Sequence, residues 1–285
     1  MIIVRLQGGL GNQLFQYAAG KALAARLDKP FKLETITSLQ KDKQRNIALH
    51  ELQIKFELAS REEVKQFVRF PALYRHKPAF FSRFGNNIYR EPHFQFDKNF
   101  FQLQDPVFLD GFWQSPFYFN DIEADLRREF VIQPELVKNV VEKGKQLAQE
   151  NSIAVHIRRG DFLKVNAASY HGALSAFYYE KAIGTIKEKH PGAHIYFFSD
   201  DIGWVKQNLV IEKNAEFVSS LGNSAIEDFY LMTKCRHNVI ANSSFSWWAA
   251  WLNLNPDKMV IAPKKWFLDM NINTNDLIPG GWVRV

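Results

Sequence analysis

The sequence predicts an α/β protein built on parallel sheets in two domains, and three observations carry that prediction. Short runs of strand length, among them residues 2–6, 153–157 and 193–198, are near-continuously apolar, as strands covered on both faces are. Between them lie segments with apolar residues at i, i+4 spacing, which marks helices with a buried face. Alternation of the two element types implies a parallel, doubly wound sheet. The chain's 285 residues exceed the usual single-domain size, so two domains are expected, residues 1–150 and 151–285.

Composition narrows the class. Hydrophobic residues make up 46% and charged residues 23%, the balance of a soluble globular chain and not of a disordered one. No apolar run reaches the roughly 18 residues of a membrane span. The N-terminus, Met-Ile-Ile-Val-Arg-Leu, has no basic region, apolar core and small-residue cleavage site, so a cytoplasmic protein is expected. The single cysteine, Cys235, forms no internal disulfide and suits a reducing compartment. The net charge of +6, 36 basic minus 30 acidic residues, suits an anionic ligand or a membrane face and is too diffuse to argue for nucleic acid.

Residues 2–6 form the first expected strand. They run into Gln7-Gly8-Gly9-Leu10-Gly11-Asn12-Gln13 and then a helix whose stripe is Leu14, Ala18 and Ala22 beside Phe15, Ala19, Leu23 and Leu27. Gly9 and Gly11 let the backbone approach a ligand at a helix N-terminus that favours negative charge. The dinucleotide fingerprint is incomplete, because Leu14 stands where its third glycine belongs, although Glu34 lies near the place of a ribose-binding acid. Residues 38–63 are polar, read as helix and loop. Residues 67–119 crowd aromatics between Pro71, Pro78, Pro92, Pro106 and Pro116, which forbid one long helix; they read as a satellite core of short helices and loops. Phe112-Trp113-Gln114, after Asp110-Gly111, combines aromatic and amide groups as sugar sites do, which makes Trp113 and Gln114 acceptor candidates. Helices are expected over 122–130 and 134–151.

The stretch Ile153-Ala-Val-His-Ile-Arg-Arg-Gly-Asp161 ends a buried strand in a cluster of ionisable groups, the place where open α/β sheets bind ligands. Arg158 offers planar, permanently charged donors to a phosphate, and Asp161 is placed to pair with an arginine or to act as a base. Without further support the cluster reads equally well as a surface ion pair. Later strands at 193–198 and 237–241 end at Asp200-Asp201 and Asn242, so three strand ends would line one edge. Asp200 or Asp201 suits a guanine edge or a ribose hydroxyl, and Ser243, Ser244 and Ser246 stand at a helix N-terminus suited to phosphate. Trp247, Trp248 and Trp251 read as core, and His171 as solvated. No His, Cys or carboxylate grouping has metal-ligand spacing.

Gly8-Gly9-Leu10-Gly11-Asn12-Gln13, Gly111-Phe112-Trp113-Gln114-Ser115, His156-Ile157-Arg158-Arg159-Gly160-Asp161, Phe198-Ser199-Asp200-Asp201 and Asn242-Ser243-Ser244-Phe245-Ser246-Trp247-Trp248 resemble, in order, the motifs of the α-1,2-fucosyltransferase family, glycosyltransferase family 11. The resemblance implies a GT-B-like fold, two Rossmann-like domains facing each other across a cleft, with the acceptor bound mostly by the first and the donor by the second. It implies an inverting transfer of L-fucose from GDP-β-L-fucose to the 2-hydroxyl of a terminal galactose, with no metal and no other cofactor. It also implies Arg158 on the donor diphosphate with His156 beside it, Ser243, Ser244 and Phe245 around diphosphate and nucleoside, and Asn12 near the sugar and leaving group. Asp161 is the candidate base. The expected partners are GDP-fucose and a galactose-terminated oligosaccharide, with a peripheral contact at the inner face of a bacterial membrane where the acceptor is a lipid-linked glycan. Rival readings are a fucosyltransferase of α-1,6 or O-fucosyl linkage, a nicotinamide-dependent oxidoreductase resting on Gly9, Gly11 and Glu34, and a non-catalytic glycan-binding protein.

Overall fold

The computed structural model describes residues 1–38, 47–160 and 172–285. They fall into two compact units, Met1–Val131 with Asn273–Leu277, and Ile132–Ile272 with Ile278–Val285. In the first unit the elements in chain order are β1 (Ile2–Arg5), α1 (Leu10–Leu27), β2 (Phe31–Glu34), α2 (Arg61–Phe67), β3 (Ile88–Arg90), β4 (Val107–Asp110) and α3 (Glu123–Glu129). Among the described residues the strands form one parallel sheet in the order β2-β1-β4-β3. Helix α1 buries its expected stripe of Leu14, Phe15, Ala18, Ala19, Ala22 and Leu23. It lies close on the sheet at Gly20, where a Cβ would sit 2.3 Å from Val4 Cγ2. Residues 67–119 hold the expected short helices and loops, among them Pro71–Tyr74 and Pro78–Phe81, but they are not a satellite core: they also supply β3 and β4 to this sheet. A four-residue strand and a three-residue strand between prolines and phenylalanines are too short to display a period.

In the second unit the chain runs through α4 (Val141–Gln149), β5 (Ser152–Ile157), α5 (Ala176–Lys189), β6 (His194–Ser199), α6 (Ile202–Asn208), β7 (Ala215–Phe217), α7 (Ala225–Lys234), β8 (His237–Val239), α8 (Ser244–Leu252), β9 (Val260–Ala262) and β10 (Val283–Arg284). The sheet order is β10-β9-β8-β5-β6-β7, parallel throughout. Counted from β5, that is the 3-2-1-4-5-6 order of a Rossmann sheet. The helix expected over 134–151 is two pieces, Pro134–Val137 and α4. Both pack on α7, and a Cβ at Gly144 would sit 2.7 Å from Tyr230 Cε1. These helices therefore belong with the second sheet, and the division falls before residue 132, earlier than the expected boundary at 150.

Strand order reverses between β1 and β4 in the first unit and between β5 and β8 in the second. In open α/β sheets the crevice beyond the carboxyl ends of the strands at such a switch point is where ligands bind.

Candidate active site

The second unit's switch point is flanked by the residues after β5 and after β8. Past Ile157 the chain turns through Arg158, Arg159 and Gly160, and Asp200, just beyond β6, holds that turn. Asp200 Oδ1 accepts the Arg159 N–H at 2.8 Å, Oδ2 accepts the Gly160 N–H at 3.1 Å, and Oδ2 pairs with Arg158 Nη1 at 3.1 Å. A Cβ at Gly160 would lie 2.9 Å from Asp200 Oδ2, so a larger residue there would push the clamping carboxylate aside. Beneath the turn, the buried Tyr179 of α5 hydrogen-bonds the Arg158 backbone. Asp201 accepts the Trp204 N–H at 2.9 Å as the N-cap of α6 and faces Arg159 Nε at 3.4 Å. The Arg159 guanidinium lies 4.0 Å from the Trp204 ring centroid. The two arginines thus diverge, as adjacent residues on an extended chain should. Arg159 is fastened to α6. Arg158 is held by Asp200 at the strand end. Sequence reasoning offered Asp200 and Asp201 to a nucleoside; the structure engages both carboxylates in shaping the arginine turn and starting α6.

After β8, Asn242 Nδ2 donates to the carbonyls of Gly172 and Trp266, both at 3.1 Å, and fixes the approach to α8. Ser243 is the N-cap of α8, yet its side chain makes no capping bond, unlike Ser60, Ser175 and Ser224 at other helix starts. The first-turn N–H groups at Ser244, Phe245 and Ser246 therefore receive no cap from it. Trp247, Trp248 and Trp251 are buried, as expected, so α8 is sunk in the unit. Its Phe245 ring lies 5.7 Å from His156 and 5.1 Å from Phe229. His156 is buried on β5, and its Nδ1 has no hydrogen-bond partner among the described residues. Burial, helped by the Arg158 charge, pushes its pKa down to about 3, so the imidazole is neutral. A guanidinium at one strand end and a helix N-terminus at the neighbouring one make a seat for a dense anion such as a diphosphate. Asp161 and His171 lie outside the described residues.

The first unit's switch point is flanked by the glycine turn and by the loop after β4. Gly8 has φ +75°, and a Cβ there would lie 2.4 Å from Asn12 Nδ2, so only glycine fits. Gly9, the exposed N-cap of α1, has open space around it, while Gly11 is buried. Asn12 Oδ1 accepts from Gln114 Nε2 at 2.9 Å. This bond joins the two sides of the switch point and brings two predicted residues together. A second link runs through Gln16, which accepts the Gln7 N–H at 2.9 Å and donates to the Gly111 carbonyl at 3.2 Å.

Trp113 has φ 55° and is 0% exposed. Its ring stacks on Tyr89 and packs against Phe100 and Tyr118. No face of it is open to a sugar, which corrects the expectation that it contacts the acceptor; it anchors the loop that delivers Gln114. Phe112, 38% exposed, is the loop's solvent-facing ring. Glu91, which sequence reasoning missed, accepts the N–H groups of Phe112 at 2.7 Å and Trp113 at 2.9 Å. Desolvation pushes the Glu91 pKa up to about 7 against the opposing pull of those two bonds. Its only sequence signal is a place just after β3, a strand too short to recognise. Glu34 is fully buried and accepts from the N–H and hydroxyl of Thr37, with Arg5 Nε at 4.0 Å. It offers nothing to a ribose, which removes the acid on which the nicotinamide reading rested.

Among the described residues no group of three His, Cys, Asp or Glu side chains could hold a metal ion, and no helix is long and apolar enough to cross a membrane. Two parallel sheets with helices, the second in Rossmann order with an anion seat at its switch point, define a GT-B-type glycosyltransferase. The chain belongs to the family described as Glycosyl transferase family 11, which it matches over residues 1–285. It is 32% identical to an alpha-1,2-colitosyltransferase of Escherichia coli, covering 100% of this chain and 99% of that one. It is also 32% identical to the O-antigen biosynthesis glycosyltransferase WbnK of Escherichia coli, over 98% and 99%. A human galactoside alpha-(1,2)-fucosyltransferase 1 matches at 27% over 53% of this chain and 44% of its own length. Among solved structures, fucosyltransferase NodZ from Bradyrhizobium superposes with a TM-score of 0.53 at 15% identity over 87% of this chain and 91% of that one. Arabidopsis thaliana FUT1 in complex with GDP gives 0.51 at 13%, over 92% and 70%. These two likenesses concern the fold.

Proposed function

We propose that this glycosyltransferase moves L-fucose from GDP-β-L-fucose to the 2-hydroxyl of a terminal galactose in an oligosaccharide, with inversion and without a metal ion. The observation that carries the reading is that Arg158, at the end of β5, and the N-terminus of α8, whose N-cap Ser243 makes no side-chain capping bond, flank the same β5/β8 switch point, in a chain that matches its family from end to end. Cleavage of a sugar–diphosphate bond builds negative charge on the departing nucleotide. A fixed guanidinium and fixed amides then stabilise the transition state more than the ground state. That arrangement meets the diphosphate charge with protein groups, which supports metal independence. His156, neutral and packed on Phe245, shapes the seat without adding charge. Inversion needs a base beside the acceptor hydroxyl, the role proposed for Asp161. Asn12, oriented by Gln114, is proposed as the sugar-side amide. The second unit is proposed to bind the donor and the first the acceptor. A peripheral contact with the cytoplasmic face of a bacterial membrane that displays lipid-linked glycan completes the reading. The 32% identical colitosyltransferase favours one alternative donor: colitose, which is fucose lacking one ring hydroxyl.

The test is mass-spectrometric product analysis of the purified chain incubated with EDTA, galactose-terminated oligosaccharides and either GDP-fucose or GDP-colitose. A gain of one deoxyhexose, removed by an α-1,2-specific fucosidase, is the expected result. Gain only with GDP-colitose replaces the donor. No gain from either donor, with no thermal shift by GDP, overturns the reading.

A further inference from the structure

We propose that the segment between α2 and β3 docks this protein on an anionic lipid bilayer through an aromatic cluster, the exposed Phe70, Phe80 and Phe84 seated on the half-buried Phe81, interleaved with cations. The segment has two faces. Phe67, Val68 and Tyr74 are buried against Ile3 and Phe108 in the first unit's core, and the Tyr74 hydroxyl donates to Asp110 Oδ2 at 2.8 Å, so the segment is anchored. From that anchored base, Phe70 (41% exposed), Leu73 (48%), Phe80 (49%) and Phe84 (49%) point outward. The outward rings form one patch joined by Phe81, which is itself half-buried against the core: Phe80 lies 5.0 Å from Phe81 and 5.5 Å from Phe84, and Phe81 lies 6.3 Å from both Phe70 and Phe84. A contiguous apolar patch left in water marks an interaction surface.

Charge selects the partner. No Asp or Glu occurs from residue 64 to residue 90, while Lys65, Arg69, Arg75, Lys77 and Arg83 are all exposed there. The Arg69 guanidinium lies over Phe70, 5.3 Å from its centroid. Rings and leucine sink into the headgroup–acyl boundary while cations meet anionic headgroups, the combination that holds amphipathic segments at a membrane surface. A second copy of the chain is a poor occupant. A two-fold contact through this patch would set identical cations against one another. The inference gives a surface to the bilayer contact proposed above and is independent of the transfer chemistry, so either can fail without the other.

The test is co-sedimentation of the full chain with phosphatidylcholine vesicles with and without phosphatidylglycerol, using wild type, Lys77→Gln/Arg83→Gln and Phe80→Ser/Phe84→Ser. Melting temperature and GDP binding, which the patch does not serve, report that each variant is folded. The expected result is salt-sensitive binding of wild type to phosphatidylglycerol vesicles. The charge variant should bind about 25-fold more weakly, at roughly fivefold per cation, and the aromatic variant should lose sedimentation with GDP binding retained. Absence of wild-type binding, or equal binding by wild type and both folded variants, overturns the proposal. So does a concentration-dependent dimer, seen by light scattering and lost in the variants without any vesicle binding; that result assigns the patch to a second copy.

Discussion

Replacing Asp200 by Asn separates two roles for a carboxylate at the edge of the second sheet. In the structure it is a clamp, with Oδ1 on Arg159 N–H, Oδ2 on Gly160 N–H, and an ion pair to Arg158. Asn keeps one acceptor oxygen and turns an amide NH2 toward the other N–H, so one backbone donor loses its partner. That loss is worth about 1–1.5 kcal/mol. The pair with Arg158, whose side chains are 36% and 25% exposed, adds at most about 1 kcal/mol after solvent screening. Together they predict a loss of about 2 kcal/mol, a fall of roughly 4–8 °C in melting temperature. Arg158 loses its orientation at the same time. The catalytic cost should approach that of removing one preorganised donor, on the order of 100-fold. Calorimetric titration with GDP and with inosine diphosphate, which lacks the guanine 2-amino group, distinguishes the roles. A clamp weakens both ligands by the same factor. If Asp200→Asn melts like wild type and loses only the preference for GDP over inosine diphosphate, the carboxylate reads the base and the clamp argument is wrong.

Other outcomes follow from the same geometry. Arg158→Ala should lower turnover by about 100-fold or more and, with the screened pair to Asp200 lost, lower the melting temperature by no more than about 2–4 °C; near-normal turnover in the folded variant would remove Arg158 from the anion seat. Trp113→Ala should cost about 3–5 kcal/mol of stability, as large buried aromatics do, whereas a sugar-stacking role would raise acceptor KM and leave the melting temperature unmoved. For Glu91 the sign is set by a pKa raised from 4.5 to about 7. Between those values the folded state holds a proton that the unfolded state has released, so this group's contribution is complete below pH 4.5 and is lost as pH rises to 7. The melting temperature of wild type minus that of Glu91→Gln should therefore fall across pH 4.5–7 and level off above it. A difference that is flat across that window would show that Glu91 does not carry the buried proton.

What the chain disclosed in advance tracks the length and chemistry of each element. Strand β5 was legible because six consecutive buried positions leave an apolar run, and α8 because a serine cluster precedes three tryptophans. That their ends share one edge followed from the strand–helix rhythm, whereas their adjacency at a switch point is seen only in the sheet order. Strands β3 and β4 were not legible, since three or four residues among phenylalanines and prolines carry no period. The Asn12–Gln114 bond spans 102 positions, and no local pattern announces such a contact. Trp113 misled because aromatic character alone does not say whether a ring faces the core, and its positive φ is a property of the loop. Asp200 was legible as a strand-end carboxylate but not as a clamp: such a group suits a ligand and a neighbouring strand's backbone equally, and only the β5–β6 register brings it to the Arg159 and Gly160 N–H groups.

The neutrality of His156 bears on how the enzyme's pH profile divides between its two substrates. A guanidinium keeps its charge at any working pH, and helix-end amides do not titrate. Among the described residues of the seat the one imidazole, that of His156, releases its proton near pH 3, so these groups present the same charge in mildly acidic and mildly alkaline solution alike. His156, Arg158 and the helix-end amides are thereby indifferent to proton concentration in the working range, and a rise or fall of activity with pH reports on other groups, the proposed base beside the acceptor hydroxyl among them.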